Sequence, residues 1–270
     1  LTQGSYRLGL KGGVDAVLIA ITREVSPSLA RCELTHLPRQ AIDLDLARAQ
    51  HRPYEEALAG LGCTIHHLPA EPELPDSVFV EDTAVVLDEL AVITRPGAAS
   101  RRPETEAVAR ALNPYRRLLY IEPPGTLDGG DVLRVGKTLY AGLTRRTNPA
   151  GVEQLQALLA PYGYAVRGVP VEGCLHLKSA VTQVAPGALL INRHWVGAAV
   201  FEPLQLLDVD PSEPYAANAL RVGEAVIYPS AYPRTRRRLE AHGIAVRPVD
   251  VSELAKAEGA VTCCSLIFTV

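Results

Sequence analysis

The chain is short of sulfur and of net charge, and each shortage narrows what it can be. It has no methionine among its 270 residues and only five cysteines, Cys32, Cys63, Cys174, Cys263 and Cys264. Five is an odd number, and the spacing matches neither a disulfide framework nor a zinc motif. Both points favour a reducing, cytoplasmic compartment. Position 1 is Leu, so the native start is expected upstream of the numbered sequence. The formal net charge is only -3, which gives no electrostatic case for nucleic acid or an anionic membrane as partner. No apolar run approaches the length of a membrane span, and no signal-peptide pattern is visible. Linkers and low-complexity stretches are missing too, which predicts a single domain over 1–270. That length is enough to bury a sizeable core.

What is present is clearest near the end. The run 259–268, Gly-Ala-Val-Thr-Cys-Cys-Ser-Leu-Ile-Phe, is apolar, partly β-branched and free of proline, so it is expected to form a buried strand with Cys263 and Cys264 at its beginning. Successive side chains of a strand face opposite ways, so one thiol can face a pocket while the other packs inside. Buried cysteine is commonly no more than a small hydrophobe. It becomes a nucleophile only if a base and a site for an electrophile stand opposite.

A repeat organises the rest. Segments 61–69, 162–170 and 242–250 each run from a glycine into a short strand ending at proline or aspartate, and 116–123 is a version without the glycine. Helical apolar spacing precedes them over 52–60, 103–112, 149–159 and 233–242. The glycines suit helix C-termini, and Asn148 before Pro149 suits an N-cap. Polar residues then introduce apolar strands at 81–86, 130–133, 178–181, 218–222 and 263–266. Further strands are expected at 91–94, 138–141, 189–191 and 225–228, and 18–22 is the expected partner of the C-terminal strand. The polar anchors recur at intervals of roughly 40 to 50 residues, as in closed or stacked arrays. Five strand-strand-helix-strand units completed by the chain ends predict a closed α/β ring, which leaves no exposed sheet edges. An open α/β sheet is the ordinary alternative.

In such a ring the strand starts face the axis. Glu81, Asp82, Asp128, Asp131, Lys178, Asn218 and Cys263 lie there, with His176 two residues before Lys178. A single such residue is commonly part of a turn, but several at matching positions imply pairing or function. Clustered carboxylates favour a cationic ligand, best a planar guanidinium that pairs in fork geometry. A thiol beside a bound cation has its pKa lowered, so substrate can promote activation. His176 suits acid/base work, and Arg101 and Arg146 could hold a carboxylate at the other end of the same ligand. A guanidino amino acid meets all three demands.

The motifs Phe79-Val80-Glu81-Asp82, Arg95-Pro96-Gly97-Ala98, Ser100-Arg101-Arg102, Asp128-Gly129-Gly130-Asp131, Arg146-Thr147-Asn148, His176-Leu177-Lys178-Ser179 and Thr262-Cys263-Cys264-Ser265 occur in order along the chain. Together they make it resemble the dimethylarginine dimethylaminohydrolases. These belong to the guanidino-group-modifying pentein superfamily, with arginine deiminase and the amidinotransferases. The resemblance implies a five-bladed pseudosymmetric α/β propeller of ββαβ-type repeats. It implies that Cys263 is the nucleophile, His176 the general acid/base and Asp128 a carboxylate near the reacting guanidinium. Asp82 would grip that guanidinium, with Glu81 its neighbour, and Asp76 would lie near the α-amino end. Arg101 and Arg146 would hold the α-carboxylate, and Leu34 and Ala257 would offer backbone carbonyls to the α-amino group. No cofactor or metal is implied, although zinc could bind a Cys/His/Asp site adventitiously and inhibit. The implied partner is a small guanidino amino acid, handled by a monomer or a homodimer.

Other outcomes remain open on the sequence. Free arginine or another guanidine could be the substrate, an amine could replace water, or the ring could serve as a non-catalytic binding protein. The stretch Asn192-Arg193-His194-Trp195 matches nothing in the family and is a candidate for the pocket wall. Arg234 to Arg238 is expected to be a solvated helix face, and His66-His67 to be structural.

Overall fold

Five short three-stranded sheets are arranged around a common axis. The computed structural model describes residues 16–270, so the first fifteen residues of the expected 1–270 domain lie outside the described residues. In the first blade, β1 (Leu18–Arg23) is followed by helix α1 (Leu44–Gly60) and β2 (Cys63–Leu68). The second holds β3 (Ala84–Val86), β4 (Leu90–Ile93), α2 (Glu104–Leu112) and β5 (Arg117–Tyr120). The third holds β6 (Val132–Val135), β7 (Thr138–Leu143), α3 (Pro149–Leu159) and β8 (Ala165–Pro170). After a short helix α4 (Leu177–Ala180) come β9 (Val181–Ala185), β10 (Ala188–Ile191) and β11 (Gln205–Asp208). The fifth blade is β12 (Leu220–Val222), β13 (Ala225–Pro229), α5 (Pro233–Ala241) and β14 (Ala245–Val249). A last short helix α6 (Ser252–Ala255) leads to β15 (Leu266–Thr269), which returns to the first blade.

Every blade has the same wiring. One strand pairs antiparallel with the middle strand, which pairs parallel with the third, as in β3-β4-β5 and β6-β7-β8. In the first blade β15 takes the antiparallel place, with Leu18 opposite Thr269 and Ile21 opposite Leu266. The expected closure by the two ends of the chain is therefore observed. The parallel step needs a crossover. Four blades supply a full helix, whereas the fourth makes do with a single 3-10 turn, Ala198–Phe201. Among the described residues, no helix is long and apolar enough to cross a membrane.

The middle strands are buried on both faces, and this sets where the cores lie. In β4, Leu90 and Val92 pack with Val132, Leu139 and Leu155 of the third blade. The alternate residues Ala91 and Ile93 pack with Ile19, Ile21 and Phe268 of the first. The pattern repeats around the ring, so five apolar cores fill five seams between blades. None lies on the axis, which is left to polar groups.

Two expectations need correction. Helix α1 starts at Leu44 rather than near Arg52 and runs through Pro53. Asp43 caps its start by accepting from the N–H of Asp45 and Leu46, and burial of Ala47, His51, Tyr54 and Leu58 outweighs the one intrahelical bond that proline removes. The polar anchors do not begin strands. Glu81 and Asp82 sit in the 3-10 turn Val80–Thr83, Asp131 in Gly129–Asp131 and Lys178 in α4. Cys263 and Cys264 likewise lie in a turn, before β15 begins at Leu266.

These turns are tied in a ring. The Gly130 N–H donates to Asp82 Oδ1 (3.0 Å) and the Leu177 N–H to Asp131 Oδ1 (2.9 Å). Asn218 Nδ2 donates to the Lys178 carbonyl (3.0 Å), and the Thr262 N–H to Asn218 Oδ1 (3.1 Å). The Glu81 N–H then donates to the Cys263 carbonyl (3.0 Å), closing the circuit. A helical turn leaves its first N–H groups without internal partners, and here neighbouring blades supply several of them. Asn218 carries two of the five links. Asn218→Ala is expected to destabilise the fold by about 2–4 kcal/mol, since several buried groups lose partners at once. A lowered urea midpoint with an unchanged slope checks this.

Candidate active site

A narrow cleft opens where the turns meet. Its walls are Glu33, Asp76, Phe79, Asp82, Arg101, Arg146, Leu175, His176, Ala257, Glu258, Gly259 and Cys263, and its free volume is only about 10 Å³. Of the residues expected in the site, Cys263, His176, Asp82, Asp76, Arg101, Arg146 and Ala257 thus line one cleft.

His176 stands immediately before α4, fixed by its blade's link to Asp131. Its Nε2 lies 3.0 Å from Asp128 Oδ2, and its Nδ1 lies 3.8 Å from Asp82 Oδ1. Burial alone would pull its pKa down, but Asp82, Asp131 and Asp128 overcome this and raise it from 6.5 to about 9. The imidazole is therefore cationic at neutral pH, with a carboxylate near each ring nitrogen. Asp128 is fully buried and also accepts from the Gly97 N–H (2.9 Å). It does not line the cleft but stands behind His176. The close approach of these groups explains the paired glycines. A Cβ on Gly130 would come within 2.7 Å of both His176 Nδ1 and Asp82 Oδ1, and one on Gly129 within 2.0 Å of the Glu81 carbonyl.

Asp82 is held as a carboxylate. Burial opposes its charge, but His176 and Arg101 prevail and lower its pKa to about 2. Arg101 Nη1 reaches Asp82 Oδ2 at 2.6 Å. The rest of that guanidinium is occupied: Nε and Nη2 bond Glu104 at the start of α2, and Nη2 also reaches the carbonyls of Asp76 and Phe79. Arg101 is thus a buried brace rather than a free surface charge. Arg146 differs. Its Nη2 bonds Thr35 Oγ1 (3.1 Å), while its Nη1, 3.8 Å from Asp128, is buried without a hydrogen-bond partner. Unpartnered buried donors are rare, and this one borders a cleft.

Cys263 is buried, and its thiol pKa is pushed well up by burial and by Glu81 and Asp82. The resting group is the neutral thiol. Only a cation placed beside it can offset those carboxylates. Cys264 lies fully buried in the core between the first and fifth blades.

Three expectations shift in place. Glu81 turns away from the cleft, pairing with Lys178 Nζ (2.6 Å) and accepting from Thr262 Oγ1 (2.7 Å). Neighbouring residues of a helical turn point in different directions, so Asp82 and Glu81 cannot both face one ligand. Leu34 is half-buried in the loop beside Glu33 but is not a cleft residue. The 192–195 stretch does not reach the cleft either; Trp195 packs on Tyr215, and a Cβ on Gly173 would lie 2.7 Å from its ring. Arg234, Arg237 and Arg238 are exposed on α5, as expected. Sequence reasoning missed Glu104, Glu33 and Glu258. A carboxylate three residues after Arg101 was a usable signal for Glu104, but nothing local marks the other two.

The donor atoms of Asp82, Asp128 and His176 all lie within 4.8 Å of one another, close enough to share a metal ion. Two of them already carry counter-charges, Asp82 through Arg101 and Asp128 through His176.

Fold and cleft together define a pentein: five three-stranded blades, four of them with a crossover helix, and cysteine, histidine and carboxylates gathered at the axis. No family model matches the chain. It is 41% identical over 248 residues to the N(G),N(G)-dimethylarginine dimethylaminohydrolase of Streptomyces coelicolor, covering 92% of this chain and 95% of that one. Among solved structures, a cysteine-to-serine variant of the Pseudomonas aeruginosa dimethylarginine dimethylaminohydrolase complexed with citrulline superposes with a TM-score of 0.88 at 36% identity, covering 93% of this chain and 100% of that one. A histidine-to-glycine dimethylarginine dimethylaminohydrolase in adduct with S-methyl-L-thiocitrulline matches with a TM-score of 0.88 at 37% identity, over 92% and 98% of the two chains. The chain belongs to the dimethylarginine dimethylaminohydrolase family.

The electrostatics of His176 can be checked directly. Because its folded pKa is raised, the stability it contributes is complete below its ordinary value of 6.5 and is lost as pH rises through about 9. Its ring protons are expected to titrate near pH 9 by NMR. In Asp128→Asn the midpoint should fall and the stability lost between those limits should shrink.

Proposed function

We propose that the chain is a single catalytic domain that hydrolyses Nω-methylated arginines, asymmetric dimethylarginine and monomethylarginine, to citrulline and the corresponding methylamine. The observation that carries this is the cleft itself, lined by a thiol, a cationic imidazole and buried carboxylates beside an arginine whose Nη1 has no hydrogen-bond partner. The structures of relatives with citrulline and with a thiocitrulline adduct support a ligand of that shape.

Asp82 orients the guanidinium, which lies against Cys263 and offsets the field of Glu81 and Asp82 on the thiol. Glu81 acts through that field rather than by contact. Arg146 Nη1 takes the α-carboxylate, with Arg101 adding charge from beside Asp82. Asp76 and the carbonyl of Ala257 meet the α-ammonium group. With the guanidinium in place the Cys263 thiol loses its proton to solvent, and the thiolate adds to the central guanidinium carbon. His176, protonated at rest, passes its proton to the departing amine nitrogen as the C–N bond breaks. A covalent S-alkylthiouronium remains on Cys263. Neutral His176 then takes a proton from water, the hydroxide adds to the same carbon, and the C–S bond breaks as the hydroxyl proton passes to the departing sulfur, which releases citrulline and restores the thiol beside a protonated His176. Splitting the hydrolysis this way replaces one difficult step by two easier ones. Asp128 holds the imidazole in place for both.

Five free cysteines among the described residues support a reducing, cytoplasmic setting. Citrulline and amine release should be followed from asymmetric dimethylarginine, monomethylarginine and arginine in parallel. Citrulline is expected from the methylated forms and not from arginine. Cys263→Ser should abolish it, and His176→Gln should lower kcat by about 10²–10⁴-fold. Ammonia release from arginine would instead assign a deiminase.

A further inference from the structure

Asp131 is a fully buried carboxylate whose hydrogen-bond partners are all uncharged. Burial pushes its pKa up to about 6, against the pull of His176 and Thr147, so it is mainly ionised at neutral pH. A charge so deep is costly and is seldom kept for packing alone. Yet Asp131 does not line the Cys263 cleft. Its two oxygens instead face two different parts of the site. Oδ1 accepts from the N–H of Leu177 (2.9 Å), the residue after His176. Oδ2 accepts from the hydroxyls of Thr144 and Thr147, each at 2.7 Å.

The contacts lead on from Oδ2. A carboxylate only accepts, so each threonine spends its single hydroxyl proton on Asp131 and keeps its lone pairs for backbone donors. Thr144 Oγ1 accepts from the N–H groups of Arg146 (3.0 Å) and Thr147 (3.2 Å). Thr147 Oγ1 accepts from the N–H of Asp128 (3.1 Å). The turn that follows β7 is thus wound on two hydroxyls that both rest on Asp131. That turn carries Arg146, whose Nη1 is the unpartnered donor beside the cleft. Neither arm has slack. A Cβ on Gly142 would lie 2.7 Å from Asp131 Oδ1 and 2.9 Å from Leu177 Cβ, and one on Gly97 would lie 2.3 Å from the Arg146 carbonyl oxygen.

We propose that Asp131 is the common mount of the two ends of the site: Oδ1 fixes His176 at the reacting end, and Oδ2, through Thr144, fixes Arg146 at the end that takes the ligand's carboxylate. One side chain thereby sets the separation between the acid/base group and the carboxylate anchor. Asp131 is a positioning residue and touches no reacting atom. Its two arms act on different quantities, the Oδ1 arm on the chemical step and the Oδ2 arm on binding. The proposal rests on the roles given above to His176 and Arg146, but not on which N-alkyl group the ligand carries.

The test follows citrulline release from asymmetric dimethylarginine (or from arginine, where that is inert) in wild type, Asp131→Asn, Thr144→Val and Thr144→Ser, with thermal unfolding to verify each fold. Asparagine keeps the shape of Asp131 but replaces one acceptor oxygen by a donor. Both ends then shift, so kcat should fall at least about tenfold and KM rise at least about fivefold. Thr144→Val removes only the hydroxyl beneath the Arg146 N–H, so KM should rise at least about fivefold while kcat stays within about twofold of wild type. Thr144→Ser returns the hydroxyl and should restore KM. Cys263 is also labelled with 2-chloroacetamidine, a small cation that has no carboxylate for Arg146, and Thr144→Val should not slow it. Unchanged kinetics in a folded Asp131→Asn, or a KM that Thr144→Ser fails to restore, overturns the mount. Should Asp131→Asn fail to fold, the Thr144 pair decides alone. An unlabelled wild type overturns the assignment of Cys263 and the proposal with it.

Discussion

The circuit of five hydrogen bonds around the axis is the constraint on which the site depends. Each blade brings a helical turn inward, and each turn offers backbone groups that have no partner within its own blade. Asp82, Asp131 and Asn218 meet that need across four seams and contribute to four of the five links; the Glu81 N–H and the Cys263 carbonyl complete the circuit. The residues that join the blades are therefore the same residues, or the immediate neighbours, of those that make the cleft. Asp82 faces His176 with one oxygen and Arg101 with the other while also holding Gly130. Stability and chemistry are not separable at these positions.

The electrostatics follow from that arrangement. Packing carboxylates into a buried axis is unfavourable unless cations accompany them. His176, Arg101, Arg146 and Lys178 are those cations, and each has a carboxylate within 4.0 Å. The balance leaves the thiol as the one reactive group held in an unreactive state. On the proposed reading, a guanidinium changes that balance merely by arriving, so the site discriminates in favour of its ligand before any bond is made. A neutral amide of similar shape would leave the thiol protonated.

Much of this was legible in the sequence because it depends on period and composition. The glycine that follows three of the helical segments, the strand that comes next and the polar residue before the next strand recur at matching places, and they survive translation into blades. What was lost depends on direction within a turn. A run such as Glu81-Asp82-Thr83-Ala84 looks like the start of a strand, yet Asp82 faces the cleft and Glu81 faces Lys178 only because the first residues coil. The start of α1 was hidden because Pro53 looks like a helix opening, whereas tertiary burial carries the helix through it. The Glu258 carboxylate accepts from the N–H groups of Thr35, His36 and Leu37, more than two hundred positions away, and no local pattern encodes that tie.

The return of β15 to pair with β1 also bears on how the molecule is made. Strand β1 is among the first described segments to emerge during synthesis, but its antiparallel partner is the last. The first blade stays open, and two of the five seams stay incomplete, until the final residues are available. Pairings so distant along a chain carry a high loop-closure cost and tend to form late. Cys263 lies in that late segment, four residues before Ile267. A chain interrupted between His176 and Cys263 would hold Arg101, Arg146 and His176 without the Cys263 thiol, so the cleft gains that thiol only with the segment that closes the ring.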